Sequence, residues 1–510
     1  MEFGLLDISV IAFFFIVVIG TSMFKSRKEE TGEDYFLAGR SLIWPIIGIS
    51  LIAANISSEQ FVGMSGQSAG NVGLAIASYE WMAAITLVFV AFFFLPRFLS
   101  SGIYTIPEFL QYRYNSTARS LMAFYTMVIY VGVTISAVIY SGAITINTIF
   151  NIDMGMAVWI IGIIAALYTT YGGLKAVAWA DVFQGTALIL GGALVLVFGL
   201  IAVGGFDNFF THNADKLHMV LPADHPVLPW TALVIGLWIP NIYYWGLNQY
   251  ITQRTLAAKS LREGQKGIIF AAAIKIIIPF VIVFPGIIAA QLYGDTMNNT
   301  DAAYPLLIKN LIPAGLRGFM FAAIAGAVIS SLASMLNSAS TIFTLDLYKV
   351  YIKKDSSQKN LVFVGRIMTI LFVLLGCIIA PNLGNPKFQG IFTYIQEFQG
   401  YISPGILAAF IFGIIVKKAP PMAGVVALLA CVPVYGFLQL QFGEIAFLNR
   451  MAITFGVILL LMTIITIVKP LKEPKVLPKR TDIDLAPTPQ LMWFGGAVVL
   501  VTLVLYGIFW

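Results

Sequence analysis

Ser50-Leu-Ile-Ala-Ala-Asn-Ile-Ser-Ser-Glu-Gln-Phe-Val-Gly-Met64 is the stretch on which the reading of this chain turns. It lies inside a long apolar segment, yet it carries Asn55, Ser57, Ser58, Glu59 and Gln60. Polar groups at bilayer depth are costly, so they face an aqueous cavity or a ligand rather than lipid. Small residues with Ser and Asn also let a helix come apart there and present carbonyls to a cation. A membrane helix broken at mid-depth beside a Glu-Gln pair points to an ion-coupled transporter.

The rest of the composition agrees. Of 510 residues, 59% are hydrophobic and only 11% charged, with a mean hydropathy of +0.89. A soluble protein carries about 25% charge, so a soluble fold is excluded. The net charge of +6 is spread over short connections, as in loops facing an anionic leaflet, and marks no nucleic-acid partner. Cys377 and Cys431 sit in apolar runs and read as packed thiols. No GxxxxGK[ST] loop is present, which argues against ATP-driven transport, and no CxxC or HExxH spacing appears. His212, His218 and His225 share one loop in no ligand-like order. Nothing in the chain marks an enzyme.

A hydrocarbon core of ~30 Å needs ~20 apolar residues per helix. On that scale the chain reads as all-α and polytopic, with about fourteen transmembrane helices. They lie near 5–24, 43–67, 73–95, 120–149, 155–171, 178–203, 230–252, 266–292, 315–344, 361–380, 389–415, 421–439, 445–468 and 490–510. The first has no basic residue before it and Lys25, Arg27 and Lys28 after it, so it reads as a retained helix rather than a signal peptide. Basic residues cluster after odd-numbered spans: Arg97, Arg113 and Arg119; Arg254, Lys259 and Arg262; Lys349, Lys353 and Lys354; Lys417, Lys418 and Lys469. That alternation puts both termini outside the cytoplasm, in a multi-pass cell-membrane protein. The span near 230–252 contains Trp238-Ile-Pro-Asn-Ile-Tyr-Tyr-Trp-Gly246, where Pro240 removes a helix hydrogen bond. Interrupted helices at matching positions of two halves point to an inverted-repeat transporter.

Two constellations could carry chemistry. In Ala327-Val-Ile-Ser330-Ser331, the spacing puts Ala327, Ser330 and Ser331 on one helical face. Two hydroxyls and a carbonyl there, with the carbonyls of Ala53 and Ile56 from the broken helix, could cage a small monovalent cation. The alternative is that the serines bond their own helix. The second constellation is the intramembrane charges Glu59, Glu80, Lys275 and Glu397, read either as salt bridges or as a polar pocket. The amides Gln60, Asn241 and Gln396 favour the pocket, because amides both donate and accept and so suit hydroxyls. Tyr243 and Tyr244 offer ring faces to a sugar.

These residues resemble the sodium/solute symporter family, and within it the bacterial sodium/galactose and animal sodium/glucose cotransporters. The resemblance runs through Glu33-Asp-Tyr-Phe-Leu-Ala-Gly39, Ser50 to Gly66, Gly102-Ile-Tyr-Thr-Ile-Pro-Glu108, Asn241 to Tyr250, Gln253 to Lys259, Ser330 to Ser338 and Tyr394-Ile-Gln-Glu397. It implies a five-plus-five inverted-repeat core of the leucine-transporter kind. The chain then divides into an extra helix and loop at 1–42, a first repeat at 43–205 and an extracellular loop at 206–229. A second repeat at 230–416 and extra helices at 417–510 follow. It implies that Gln60, Glu80, Asn241, Lys275 and Gln396 bind a sugar. Tyr244 closes an inner gate, and Met64, Tyr79, Tyr130 and Phe392 form an outer one. Ala53, Ile56, Ala327, Ser330 and Ser331 hold sodium, and Asp181 lies on its way out. Ala83 and Thr134 stand where the sugar-carrying pattern has Ser and Asn, which bears on which hexose, or which polyol such as inositol, is carried.

Overall fold

The computed structural model describes residues 4–25, 37–57, 59–171, 174–384, 390–480, 483–486 and 488–510. Ser58 of the expected break, the loop residues Arg27 and Lys28, and the Glu33–Phe36 part of the family stretch lie outside them. Among the described residues the regular structure is helical, and the β pairing is limited to two isolated bridges, Leu42 with Ala258 and Ser260 with Asp484. In lipid a segment must satisfy its own backbone, and helices do this within one span.

Helix α1 is Leu5–Lys25. Span two is split into α2 (Trp44–Asn55) and α3 (Ser65–Ala69), with a π-turn at Gln60–Met64 between them. Then come α4 (Ser78–Ser101) and the short α5 (Ile106–Arg113). Helices α6 (Ser116–Ile129) and α7 (Ser136–Phe150) join through a π-turn at Tyr130–Ile135. Helices α8 (Met154–Tyr171) and α9 (Leu174–Ala202) follow, and α10 (Phe206–His212) lies in the connection. The second series is α11 (Trp238–Leu247), α12 (Gln249–Leu256), α13 (Leu261–Tyr293), α14 (Ala303–Leu311), α15 (Leu316–Ile342), α16 (Gln358–Ile379), α17 (Ile391–Gln399) and α18 (Ser403–Ile415). Helices α19 (Pro421–Gln441), α20 (Phe447–Val468) and α21 (Gln490–Ile508) end the chain.

Among the described residues, nine helices are long and apolar enough to cross a bilayer, two bent pairs pass the same test, and three shorter apolar helices accompany them. These elements fall on the fourteen expected spans. Helices α4, α13 and α15 are mostly buried, whereas α16, α19, α20 and α21 turn most of their surface outward.

Three breaks shape the interior. At Ile56 the chain leaves the helical region (φ −76°, ψ 82°). The Ser57 amide turns to the Asn55 carbonyl at 2.9 Å, and the Gln60 amide to Ser57 at 3.0 Å. The carbonyls of Ala53 and Ile56 thereby lose the donors four residues on that a continuous helix would give them. The second break is in span seven. A π-turn at Ala232–Gly236 runs directly into α11 just ahead of Pro240, whose missing amide disturbs the ladder there. A further interruption falls at Asn248 (φ −82°, ψ 120°), between α11 and α12. The third break, a 45° bend between α17 and α18, is unforeseen above although Gly400 and Pro404 flank it.

Helix α2 packs between α9 and α13, α15 packs on α9, and α17 lies against the π-turn at Gln60–Met64. That last approach needs Gly63, since a Cβ there would meet Ile391 and Phe392 at 3.0 Å. Two arginines counted among loop charges are interior. Arg113 is buried and donates to the carbonyls of Gly413, Val416 and Ala419, and Arg254 is buried on α12.

Candidate functional site

The three breaks and the buried faces of α4 and α11 enclose one chamber. It is lined by residues that include Asn55, Glu59, Gln60, Glu80, Thr134, Asn241, Gln396 and Gln399. Met64, Tyr79, Phe392, Tyr244, Trp245 and Tyr250 add aromatic and apolar wall. Its free volume is about 40 Å³, room for roughly one to three water molecules.

The polar walls are mutually bonded. Lys275, wholly buried on α13, donates to Glu80 Oε2 and to Asn55 Oδ1. Its ammonium also lies 4.8 Å from the centre of the Trp245 ring. Gln60 Nε2 donates to Glu80 Oε1 at 3.1 Å. Asn241 Nδ2 donates to its own helix at Leu237, 3.1 Å away. Of the five residues expected to bind solute, Gln60, Glu80, Asn241 and Gln396 line the chamber. Lys275 stands behind Glu80 and Asn55, where its positive charge balances Glu80. Ala83 is buried outside the lining, while Thr134 is in it.

The aromatic groups differ in chemistry. Tyr79 and Phe392 meet edge to face, 4.8 Å between centroids. The Tyr244 hydroxyl accepts from Asn55 Nδ2 at 3.1 Å and from the Tyr250 hydroxyl at 2.7 Å. Tyr130, expected in a gate with Phe392, is buried and hydrogen-bonded to the break in span seven. Its hydroxyl donates to Asn248 Oδ1 and accepts the Tyr250 amide at 3.1 Å, which seals the break in span seven.

Next to the chamber, α2 faces α15. Ala53, Ile56, Ala327, Ser330 and Ser331 are all buried. Among the described residues, the Ser331 hydroxyl has no hydrogen-bond partner. Two carbonyls turned out of the helical ladder by a break and a hydroxyl unbonded among the described residues are hard oxygens, which suit a small cation. Ser330 instead donates to Asp181 Oδ1. Asp181 also accepts from Ser50 Oγ at 2.5 Å and pairs with Arg254 at 2.8 Å. Arg254 reaches Ser50 at 2.6 Å and Ser334 at 2.8 Å. Asp181 is thus the hub of a network in which Arg254, which the sequence reading left in a loop, is the counter-charge.

A family model described as the sodium:solute symporter family matches residues 35–429. The chain belongs to the sodium:solute symporter family. It is 40% identical to the sodium/glucose cotransporter of Vibrio parahaemolyticus, covering 100% of this chain and 99% of that one. It is 35% identical to sodium/glucose cotransporter 1 of Ovis aries, covering 81% of this chain and 68% of that one. It is 32% identical to sodium/myo-inositol cotransporter 2 of Oryctolagus cuniculus, covering 82% and 67%. A solved structure of a Na+-coupled sialic acid symporter, substrate-bound and outward-open, superposes with a TM-score of 0.81 at 23% identity, over 93% of this chain and 100% of that one. The symporter is therefore a multi-pass membrane transporter and not an enzyme. It has the five-plus-five inverted-repeat core, and sodium is its coupling ion.

Proposed function

We propose that this symporter imports a neutral hexose, galactose or glucose, together with sodium. The observation that carries this reading is the pairing of Lys275 with Glu80 inside the chamber wall. With that charge balanced, the amides and carboxyl oxygens of Gln60, Glu80, Asn241 and Gln396 bring no net charge of their own to the solute. These come from four spans and can surround a compact ring of hydroxyls. Lys275 holds Glu80 and Asn55 in position for it. Met64, Tyr79, Tyr130 and Phe392 form the outer gate, Tyr244 with its partner Tyr250 the inner one, and both chain termini lie outside the cytoplasm. The repeats divide at 43–205 and 230–416, with 206–229 between them outside.

Sodium binds the carbonyls of Ala53, Ile56 and Ala327 and the hydroxyls of Ser330 and Ser331. It ties the broken helix to α15 while the solute enters, and its departure past Asp181 loosens that tie. One inward charge is worth ~2.3 kcal/mol per 100 mV, and a tenfold sodium gradient adds ~1.4. Together they support roughly 500-fold accumulation at one sodium per solute.

The likeness to myo-inositol cotransporters at 32% identity supports a second reading, a neutral cyclic polyol in the same chamber. Sodium-driven uptake into proteoliposomes, with unlabelled hexoses and inositol as competitors, separates the two. The hexose reading expects galactose or glucose to compete. Competition by inositol alone overturns it and leaves the symporter intact.

A further inference from the structure

Glu59 has no part in the account so far. It begins the π-turn Gln60–Met64, is 7% exposed, and lines the chamber with Asn55, Tyr244 and Tyr250. Among the described residues, its Oε2 has no hydrogen-bond partner. The same holds for Oε1 of its neighbour Gln60. Of the donors nearby, Lys275 is engaged with Glu80 and Asn55, Gln60 Nε2 with Glu80 and Asn241 Nδ2 with Leu237, while the buried Ser57 hydroxyl is also unpartnered among the described residues. Even if that one hydroxyl turns to Glu59, two carboxylate oxygens and the Gln60 carbonyl oxygen exceed what it can supply, and a buried acceptor left unmet costs about 1–3 kcal/mol, more when charged.

We propose that Glu59 is a further solute-contacting residue, and that it makes the chamber select solutes presenting a hydrogen-bond donor to it. This rests on the hexose reading above and deepens it. When ionised, the Glu59 carboxylate only accepts, so the group it then meets must carry a hydrogen. A hydroxyl qualifies, and an ammonium qualifies better because its charge opposes that of Glu59. A fluorine in the same place does not, and a sugar carboxylate is repelled. Water can supply the donor when no solute is bound, and a solute that displaces it has to replace that bond. Glu59 is therefore a specificity residue distinct from the Glu80–Lys275 pair, whose charges are spent on each other.

The test compares wild-type protein with Glu59→Gln in proteoliposomes. Sodium-driven uptake of labelled hexose is challenged with each monodeoxyfluoro and each monoaminodeoxy hexose. In wild type, one ring position is expected at which fluorine weakens competition about tenfold or more, while the amine competes at least as well as the parent sugar. In Glu59→Gln the amide can donate as well as accept. There the fluorine penalty at that position should shrink to about threefold or less and the amine should lose its advantage, while the other positions keep their order. An unchanged ranking in Glu59→Gln, with hexose still transported, overturns the proposal. If hexoses compete in neither protein, the hexose reading falls, and the same comparison with fluoro- and amino-inositols decides Glu59. If Glu59→Gln transports nothing, competition binding to purified protein in sodium reads the same ranking. Glu59→Asp, which keeps the carboxylate, should then retain the wild-type order.

Discussion

Arg254 and Asp181 form an ion pair 2.8 Å long on side chains that are 1% and 0% exposed. Four helices meet there, because Ser50 of α2 and Ser330 and Ser334 of α15 bond to the same two groups. A pair this deep stabilises little against an apolar alternative, but removing one partner strands the other charge. Asp181→Asn should therefore lower stability by about 3–5 kcal/mol. The double variant Asp181→Asn/Arg254→Gln should recover much of that loss. Thermal unfolding of the detergent-purified proteins checks both, and equal stability of single and double variants would count against the network.

Ser331→Ala should abolish sodium stimulation of uptake while leaving insertion and folding intact. A cage of few neutral oxygens has no ligand to spare, and the Ser331 hydroxyl has no hydrogen bond to lose among the described residues. Undiminished stimulation by sodium would remove the proposed ion site.

Lys275→Ala should lose most uptake and be destabilised by several kcal/mol, since Glu80 and Asn55 lose their shared donor. Adding Glu80→Gln should restore folding without restoring uptake. Transport by Lys275→Ala at near the wild-type rate would mean that the pair is dispensable to the site.

Tyr244→Phe keeps the ring and removes a hydroxyl that accepts from both Asn55 and Tyr250. The loss is about 1–2 kcal/mol at one gate. We expect faster efflux of preloaded solute down its own gradient and a smaller accumulation ratio. An efflux rate equal to wild type would show that the hydroxyl does not hold that end shut.

Asp301 lies outside the spans, and burial pushes its carboxyl up to about 7. Its Oδ2 accepts from the Ile391 amide at 3.4 Å, beside the close approach of Gly66. With a folded value above the unfolded one, its contribution to stability is fully present below about 4, where both states are protonated. It is lost as pH rises through about 7. Asp301→Asn should flatten this part of the profile. Unfolding midpoints between pH 5 and 8 that shift equally for both proteins would contradict it.

Much of this was legible in the residues. Apolar runs fixed the spans, and Asn55 to Gln60 marked the break that frees the Ala53 and Ile56 carbonyls. What escaped depends on distant partners. Arg254 follows an apolar run and reads as a loop charge, because only the fold brings Asp181 to it. The bond from the Tyr130 hydroxyl to Asn248 likewise appears only when the bundle brings the two together. Pro240 is visible in the sequence, while the second interruption of span seven, at Asn248, is a backbone dihedral and is not. Glu59 was noticed, but its lack of a donor appears only once Lys275 is seen to be engaged elsewhere.

The chamber lined by Tyr244 and Phe392 has about 40 Å³ of free space, enough for a few water molecules. A larger solute therefore enters only as those walls separate, and the arrangement seen here is the one the symporter holds when it carries no solute of that size. Occupancy and wall position are then two readings of one event. A label on an aromatic wall residue should report the arrival of solute without touching it.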